Sequence, residues 1–461
     1  MTKSARRSDL TLTLRPSRDV IGRVGGGIHL LVHVEPPAPA PRRDRRPVAL
    51  ALVIDRSGSM GWPAAEERTH RTMRAVPAGR DTGVADKLAF VRAATHRLLD
   101  LMHDGDAVAL VTFDDTVAVV KPLTVLDHRS RRVLAAAVDR LEPGGSTFLE
   151  GGLRAGLDQL THEARERYGC KLVLLSDGEA NVGERRPAVL AEVAAGAART
   201  GVTTSTLGVG FDYNIALMSS LAEAGNGDFS HIHALEALDD ILRDEFTAAA
   251  EVTARAVEVT MELPERLAFG TNLNGYRQET TGTGFRVLVG DLVRPKEFLF
   301  EITTPVPLDG DEVRLTARAS YRDPGDAAQE RSTQLVLRVC DRDEALAAPV
   351  DDRVIELLLA QLPASAEMAA ALAYEAGDRA RAEAAVDDSR SAMGDVRSWY
   401  GAAAADRPEM ARWEARLSSL SAAAQGSPPS APQIKAMYAA GYDQSRSRPA
   451  GPGREGPLSL S

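Results

Sequence analysis

From Arg46 to about Ala250 the sequence alternates short, almost wholly aliphatic runs with segments of helical period. No other feature of the chain restricts its folding so tightly. PVALALVID leads into the amphipathic DKLAFVRAATHRLLDLM, and AVALVTFDD and TVAVVKPLTV follow. Helical RRVLAAAVDRL and LEGGLRAGLDQLTHEA precede the strand CKLVLLSD. Helix PAVLAEVAAGAART, strand VTTSTLGVG, helix NIALMSSLAEA, strand FSHIH and helix LEALDDILRDEFTAAA complete the series. Strands that are apolar on both faces need cover on both faces. The pattern therefore predicts a doubly wound, mostly parallel α/β sheet.

Outside this region the period changes to two. DLTLTLRPS and GIHLLVHVEPP before it alternate apolar and polar residues, as do VTARAVEVTMEL, GFRVLVGDL, EFLFEITTP, EVRLTARASY and STQLVLRV after it. Half-buried antiparallel strands read this way. The expected organisation is thus N-terminal strands over 1–45, an α/β domain over 46–250 inserted in an antiparallel β-sandwich, and the rest of that sandwich over 251–342. A C-terminal α-helical region follows over 343–440, with Gly377 closing the first helix of a hairpin and a third segment around Trp399 and Trp413. The hairpin offers a second docking surface. The last stretch, 441–461, has the composition of a disordered tail. Between the first α/β strand and its helix lies a polar insert over about 63–84, far longer than an ordinary βα loop and placed beside the mouth of any site there.

Composition narrows the function. The 461 residues suit two or three domains. A formal charge of −10 argues against a nucleic-acid partner. The N-terminus has no apolar h-region and no stretch reaches 18 apolar residues, so neither a leader nor a membrane span is expected. Cys170 and Cys340 fit no zinc or redox spacing, which suits a cytoplasmic protein with reduced thiols. Arginine and alanine richness hints at a high-GC bacterial genome.

In an open α/β sheet ligands bind beyond the carboxyl ends of strands, where the strand order reverses. LALVIDRSGSM puts Asp55, Ser57 and Ser59 at such an end. PGGSTFLEGG places Thr147 at the entrance of a helix, and VLLSDGEAN places Asp177 at the end of another central strand. Two carboxylates and three hydroxyls, without imidazole or thiol, suit a hard cation such as Mg²⁺ or Mn²⁺. The aspartates roughly neutralise the dication, and a remaining coordination position would accept an anionic oxygen, most naturally an Asp or Glu carboxylate of a protein partner.

These three motifs, DRSGSM, GGST and LSDGEAN, in this order resemble the metal-ion-dependent adhesion site of von Willebrand factor type A domains. The resemblance runs from Arg46 to Ala250, and LGVGFDYNIALMSSLAEAGNGDFSHI looks like the bacterial branch. It implies that Ser57, Ser59 and Thr147 contact the metal by hydroxyl, Thr147 moving onto it when ligand binds, while Asp55 and Asp177 act directly or through water. It also implies a binding or assembly role, often beside AAA+ ATPases; the chain has no Walker A pattern of its own. The long insert departs from the family and bears on partner preference.

Other features have plainer readings beside sharper ones. Asp114 and Asp115 read as turn residues or as an outer shell of the site. Asp212 reads as an N-cap or as part of the rim, and Arg56 is expected to point away from the metal. His231 and His233 alternate on an edge strand as structural residues, and GRVGGG at 22–27 mimics part of a dinucleotide fingerprint but precedes a strand and so reads as a turn. Two further functions compete with a binding module. One is a metal-dependent hydrolase, for instance of phosphoesters, which would need a base or a phosphate-holding cation that no motif places. The other is a scaffold whose metal site is not used.

Overall fold

The structure is a computed structural model that describes residues 9–38, 46–62, 86–232, 237–282, 284–323, 325–425 and 428–446. The expected insert at 63–84, His233 and the end of the tail lie outside these residues. The chain divides into two compact units: Arg46–Ala250, and the two flanks Met1–Arg45 and Glu251–Ser461 together.

The flanking unit opens with β1 (Thr11–Pro16), β2 (Val20–Gly22) and β3 (Gly27–Glu35). The other unit comprises β4 (Val48–Asp55), α1 (Lys87–Leu101), β5 (Ala107–Phe113), β6 (Val117–Val125), α2 (His128–Val138), α3 (Leu149–Gln159) and α4 (His162–Arg167). It continues with β7 (Gly169–Ser176), α5 (Pro187–Arg199), β8 (Val202–Val209), α6 (Ile215–Ala224), β9 (Asn226–Ile232) and α7 (Leu238–Ala250). The flanking unit resumes with β10 (Ala254–Glu262), β11 (Ala268–Asn272), β12 (Gln278–Thr281), β13 (Gly284–Leu292), β14 (Lys296–Thr303), β15 (Glu312–Arg322) and β16 (Ala328–Cys340). It ends with α8 (Arg342–Ala347), α9 (Asp352–Glu375), α10 (Arg379–Tyr400), α11 (Ala402–Ala405), α12 (Pro408–Gln425) and α13 (Ala431–Ser445).

The α/β unit is a six-stranded sheet in the order β6-β5-β4-β7-β8-β9, parallel except for the antiparallel edge strand β6. All eight residues of β4 are buried, which is why its sequence shows no alternation. One face of β4 packs Val48, Leu50, Leu52 and Ile54 against α1, α2 and α7. On the opposite face α3 sits unusually close. A Cβ at Gly152 would stand 2.4 Å from Phe113 Cδ1, and one at Gly156 2.4 Å from Val53 Cγ2. The glycines of LEGGLRAGL thus let the helix backbone rest on β4 and β5, and the loop carrying Thr147 is delivered to the end of β4. A buried ion pair, Lys171 to Glu245 at 2.6 Å, ties β7 to α7.

In the flanking unit a four-stranded sheet, β1-β3-β14-β11, and a six-stranded sheet, β12-β13-β10-β15-β16-β2, enclose one apolar core. The N-terminal strands therefore pair with strands from the far side of the α/β insertion, as β3 does with β14 from Gly27–Thr303 to Val34–Lys296. The reverse face of the four-stranded sheet, with Leu31 and Leu299, is covered by α9, α10 and α12. The apolar side of the helical hairpin is used there for packing. α9 is long and apolar enough to cross a membrane by composition, but 67% of that stretch is buried within the protein.

Two expectations for the helices change. Trp399 lies in the last turn of α10 and Trp413 inside α12, so the single segment expected around both is two helices parted by Gly401, whose φ is 52°, and the short α11. The tail does not begin at 441, because α13 continues to Ser445. Tyr438 and Tyr442, four residues apart on one helix face, are buried, and Asn274 Nδ2 donates to the Ser445 carbonyl at 3.0 Å. Aromatic anchoring overrides the polar composition of the surrounding sequence.

Candidate metal centre

β4 lies where the strand order reverses, with β5 on one side and β7 on the other. The carboxyl ends of β4 and β7 are therefore neighbours, and Asp55 and Asp177 emerge side by side, both fully buried. After Asp55 the chain turns through a short 3-10 segment, Gly58–Gly61, pinned to the core by the buried Met60. Backbone bonds staple this loop to the Thr147 loop: Gly58 N donates to Gly145 O at 2.9 Å, and Gly144 N to Arg56 O at 2.5 Å. The Thr147 loop is held in turn by the Asp177 loop. Asn181 Oδ1 accepts from Thr147 N at 2.8 Å, and Asn181 N returns a bond to Thr147 O at 3.1 Å.

This stapling brings the five residues singled out in the sequence into one cluster. Ser57 Oγ and Ser59 Oγ are 3.2 Å apart, and Ser59 Oγ donates to Asp177 Oδ1 at 2.8 Å. A Cβ built on Gly178 would lie 3.4 Å from Thr147 Oγ1, 3.6 Å from Ser59 Oγ and 4.0 Å from Ser57 Oγ. Three hydroxyls thus face one small space. Asp55 stands behind them, with Oδ1 accepting from Ser57 N at 2.8 Å and Oδ2 from Ser176 Oγ at 2.6 Å. Burial pushes the Asp55 carboxyl up to about 6; the Ser176 and Ser57 donors oppose the rise, and the neighbouring Asp177 carboxylate adds to it.

Lys87 is the residue that the sequence motifs did not reveal. Its Nζ donates to Asp177 Oδ2 at 2.6 Å from a nearly buried position at the start of α1. Lys87 follows the N-cap Asp86 and reads, by pattern alone, as the exposed first residue of an amphipathic helix. Asn181, too, was visible only as the last letter of LSDGEAN. With Lys87 counted, the two carboxylates and the ammonium leave the cluster one negative charge.

The remaining candidates fall outside the cluster. Asp114 is a buried turn residue: Oδ1 accepts from Thr116 N and Oγ1, both at 2.8 Å, and Oδ2 pairs with Arg56 at 2.6 Å. Arg56 accordingly points away from the hydroxyls. Asp212 is exposed and caps nothing; Asn214 is the N-cap of α6. His231 is buried on β9 with Nδ1 2.8 Å from the Tyr213 hydroxyl. Among the described residues no group of three or more His, Cys, Asp and Glu gathers.

The cluster fits a hard divalent cation. Three hydroxyl oxygens converge on one side of Gly178, and the carboxylates beside and behind them are held by protein donors. Such a set would present neutral oxygens directly and carboxylates directly or through water, as Mg²⁺ and Mn²⁺ accept.

Residues 49–244 match the von Willebrand factor type A domain family. The protein YfbK of Escherichia coli is 28% identical over 178 residues, 38% of this chain and 31% of that protein. Human inter-alpha-trypsin inhibitor heavy chain H3 is 26% identical over 336 residues, 72% of this chain and 34% of that protein. The chain thus spans about a third of the length of these two relatives. Among solved structures, a von Willebrand factor type A protein from Catenulispora acidiphila superposes with a TM-score of 0.61 at 19% identity, over 85% of this chain and 89% of that one, which establishes likeness of fold. The sheet, its flanking helices and the family match agree: the chain carries a von Willebrand factor type A domain, a kind of module that in general binds proteins and has a metal-dependent adhesion site.

Proposed function

We propose that this chain is a non-enzymatic, metal-dependent protein-binding module. Asp55, Ser57, Ser59, Thr147 and Asp177 hold Mg²⁺ or Mn²⁺, and the metal accepts an Asp or Glu carboxylate of a partner. The observation that supports this best is the convergence of three hydroxyls within 4.0 Å of one point, backed by two buried carboxylates. The bound cation supplies an electrophilic position for a carboxylate oxygen. The protein's part is to hold the oxygens and to set the charge. With Lys87 present, a dication leaves the cluster one positive charge, which favours an anionic ligand over a neutral one. An AAA+ ATPase is the partner class we would test first, on the strength of the family resemblance.

The test is calorimetric titration of Mg²⁺ and Mn²⁺ into the full chain and into the double variant Ser57→Ala, Ser59→Ala, with thermal unfolding alongside. Metal at about 100 times Kd stabilises the chain that binds it by about 2.7 kcal/mol. That rise is expected for the unsubstituted protein and lost in the variant, whose metal-free Tm falls only by what the lost Ser59 bond to Asp177 contributed. Equal metal binding by both proteins would refute the assignment.

A further inference from the structure

A second site lies on the same unit, between the edge strand β6 and α2, and the metal reading does not use it. The two elements enclose an open groove of about 950 Å³. Its charged lining is lopsided: Arg56, Lys121, Arg129, Arg132 and Arg140 face it, against the single acid Glu142. Two of these cations are partly answered, Arg56 by Asp114 at 2.6 Å and Arg129 by the adjacent N-cap Asp127. Lys121, Arg132 and Arg140 make no ion pair among the described residues. This concentration of cations belongs to a chain whose formal charge is −10.

The floor is apolar. Val120 of β6 and Ala137 of α2 line it, and Val133 stands 43% exposed at its rim. Along α2 the lining residues 129, 132, 133 and 136 repeat at helical spacing, and 140 follows just past the helix end. One stripe therefore carries guanidiniums at both ends with aliphatic groups between them, over about 16 Å. That layout decides between anions. A phosphate is gripped by donors that converge on a point, as backbone N–H groups do in a glycine loop or nest. Cations strung along a line with aliphatics between them instead match a linear chain carrying carboxylates on one face and apolar residues on the other.

We propose that the β6–α2 groove binds an acidic, amphipathic segment of a protein partner, and that it does so without metal. Arg56, whose backbone lies in the metal loop and whose side chain lines the groove, makes the two sites neighbours.

The probe is a fluorescein-labelled peptide of glutamate and leucine, about twelve residues long so that as a helix it spans the stripe. Fluorescence anisotropy is read in EDTA, so that failure of the metal assignment leaves the result interpretable. Saturable binding is expected, weakened at least tenfold in the variant Arg132→Glu, Arg140→Glu and unchanged in Ser57→Ala, Ser59→Ala. Both arginines are exposed, so the Tm of the charge-reversed variant should stay that of the parent. Equal binding by the charge-reversed protein would overturn the proposal. So would displacement of the peptide by millimolar inorganic phosphate or ATP at constant ionic strength, which would mark the groove as a phosphate site.

Discussion

The most discriminating perturbation of the candidate metal centre is a single methyl group. Gly178 follows Asp177, and a Cβ there would stand at 3.4, 3.6 and 4.0 Å from the hydroxyls of Thr147, Ser59 and Ser57. These are ordinary van der Waals separations, so Gly178→Ala forces no side chain to move. Gly178 is also not among the glycines with positive φ, so alanine adopts its backbone conformation without strain. Replacing glycine at a compatible site lowers the entropy of the unfolded chain and stabilises by about 0.4–1 kcal/mol. The metal-free protein should thus keep its Tm or gain slightly.

Metal binding should move the other way. The methyl stands against the three oxygens that would share the cation and its waters. Displacing one ordered, hydrogen-bonded water without replacing its bonds costs on the order of 1–1.5 kcal/mol, roughly tenfold in Kd. The assay is calorimetric titration of Mn²⁺ and Mg²⁺ into parent and variant, with thermal unfolding in metal and in EDTA. The expected signature is an unchanged metal-free Tm with a Kd raised about tenfold or more. Unaltered affinity would show that the cation does not use the space the hydroxyls face. A metal-free loss above about 1 kcal/mol would show that the loop has no room for a methyl, contrary to the distances.

Lys87→Met removes the ammonium while keeping a similar stem. Without metal, Asp177 then loses a buried partner, a change that costs about 3–5 kcal/mol; with metal, the like charge beside the cation is gone and affinity should rise roughly tenfold or more. A metal-free Tm that falls and recovers with Mn²⁺ checks this, and a Kd no tighter than the parent's counts against it. Glu367 gives a pH signature in the flanking unit. It is buried with Arg416 Nε at 3.5 Å, and burial pushes its carboxyl from the ordinary 4.5 up to about 7. Between those values the fold binds more protons than the unfolded chain, so stability falls as pH rises through this window, by up to about 3 kcal/mol. Glu367→Gln should flatten that slope and leave the protein more stable at pH 8 in urea unfolding; an unchanged slope would remove Glu367 from the account.

Much of this was legible in the sequence because the chemistry sits in three short loops whose positions β4 and β7 dictate. A strand apolar on both faces must be central, and a central strand at the reversal of order must end at a ligand-binding crevice. Asp55, Ser57, Ser59, Thr147 and Asp177 follow from that placement. Lys87 did not, since a lysine after a capping aspartate looks like any solvated helix start. Only the fold shows that the first turn of α1 lies against the Asp177 loop. The β6–α2 groove was hidden for a similar reason: RRVLAAAVDRL reads as an amphipathic helix whose charged face meets water, and nothing local says that an edge strand walls that face in. The extent of α13 was missed because composition counts residues equally, whereas two buried tyrosines outweigh the serines and glycines around them.

The charge layout argues for how a partner would choose this surface. At physiological salt the Debye length is about 8 Å, so the overall charge of −10 is screened from a partner until it is nearly in contact. What an acidic segment then meets is local: a cationic groove and, beside it, a loop made net positive only when a dication is bound. Groove binding should therefore weaken with salt and ignore EDTA, while capture at the hydroxyl cluster should ignore moderate salt and require metal. A partner using both sites would lose affinity in steps under the two treatments, and the steps would add as free energies if the sites act independently. A combined loss larger than the sum would show that Arg56, shared by the loop and the groove, couples them.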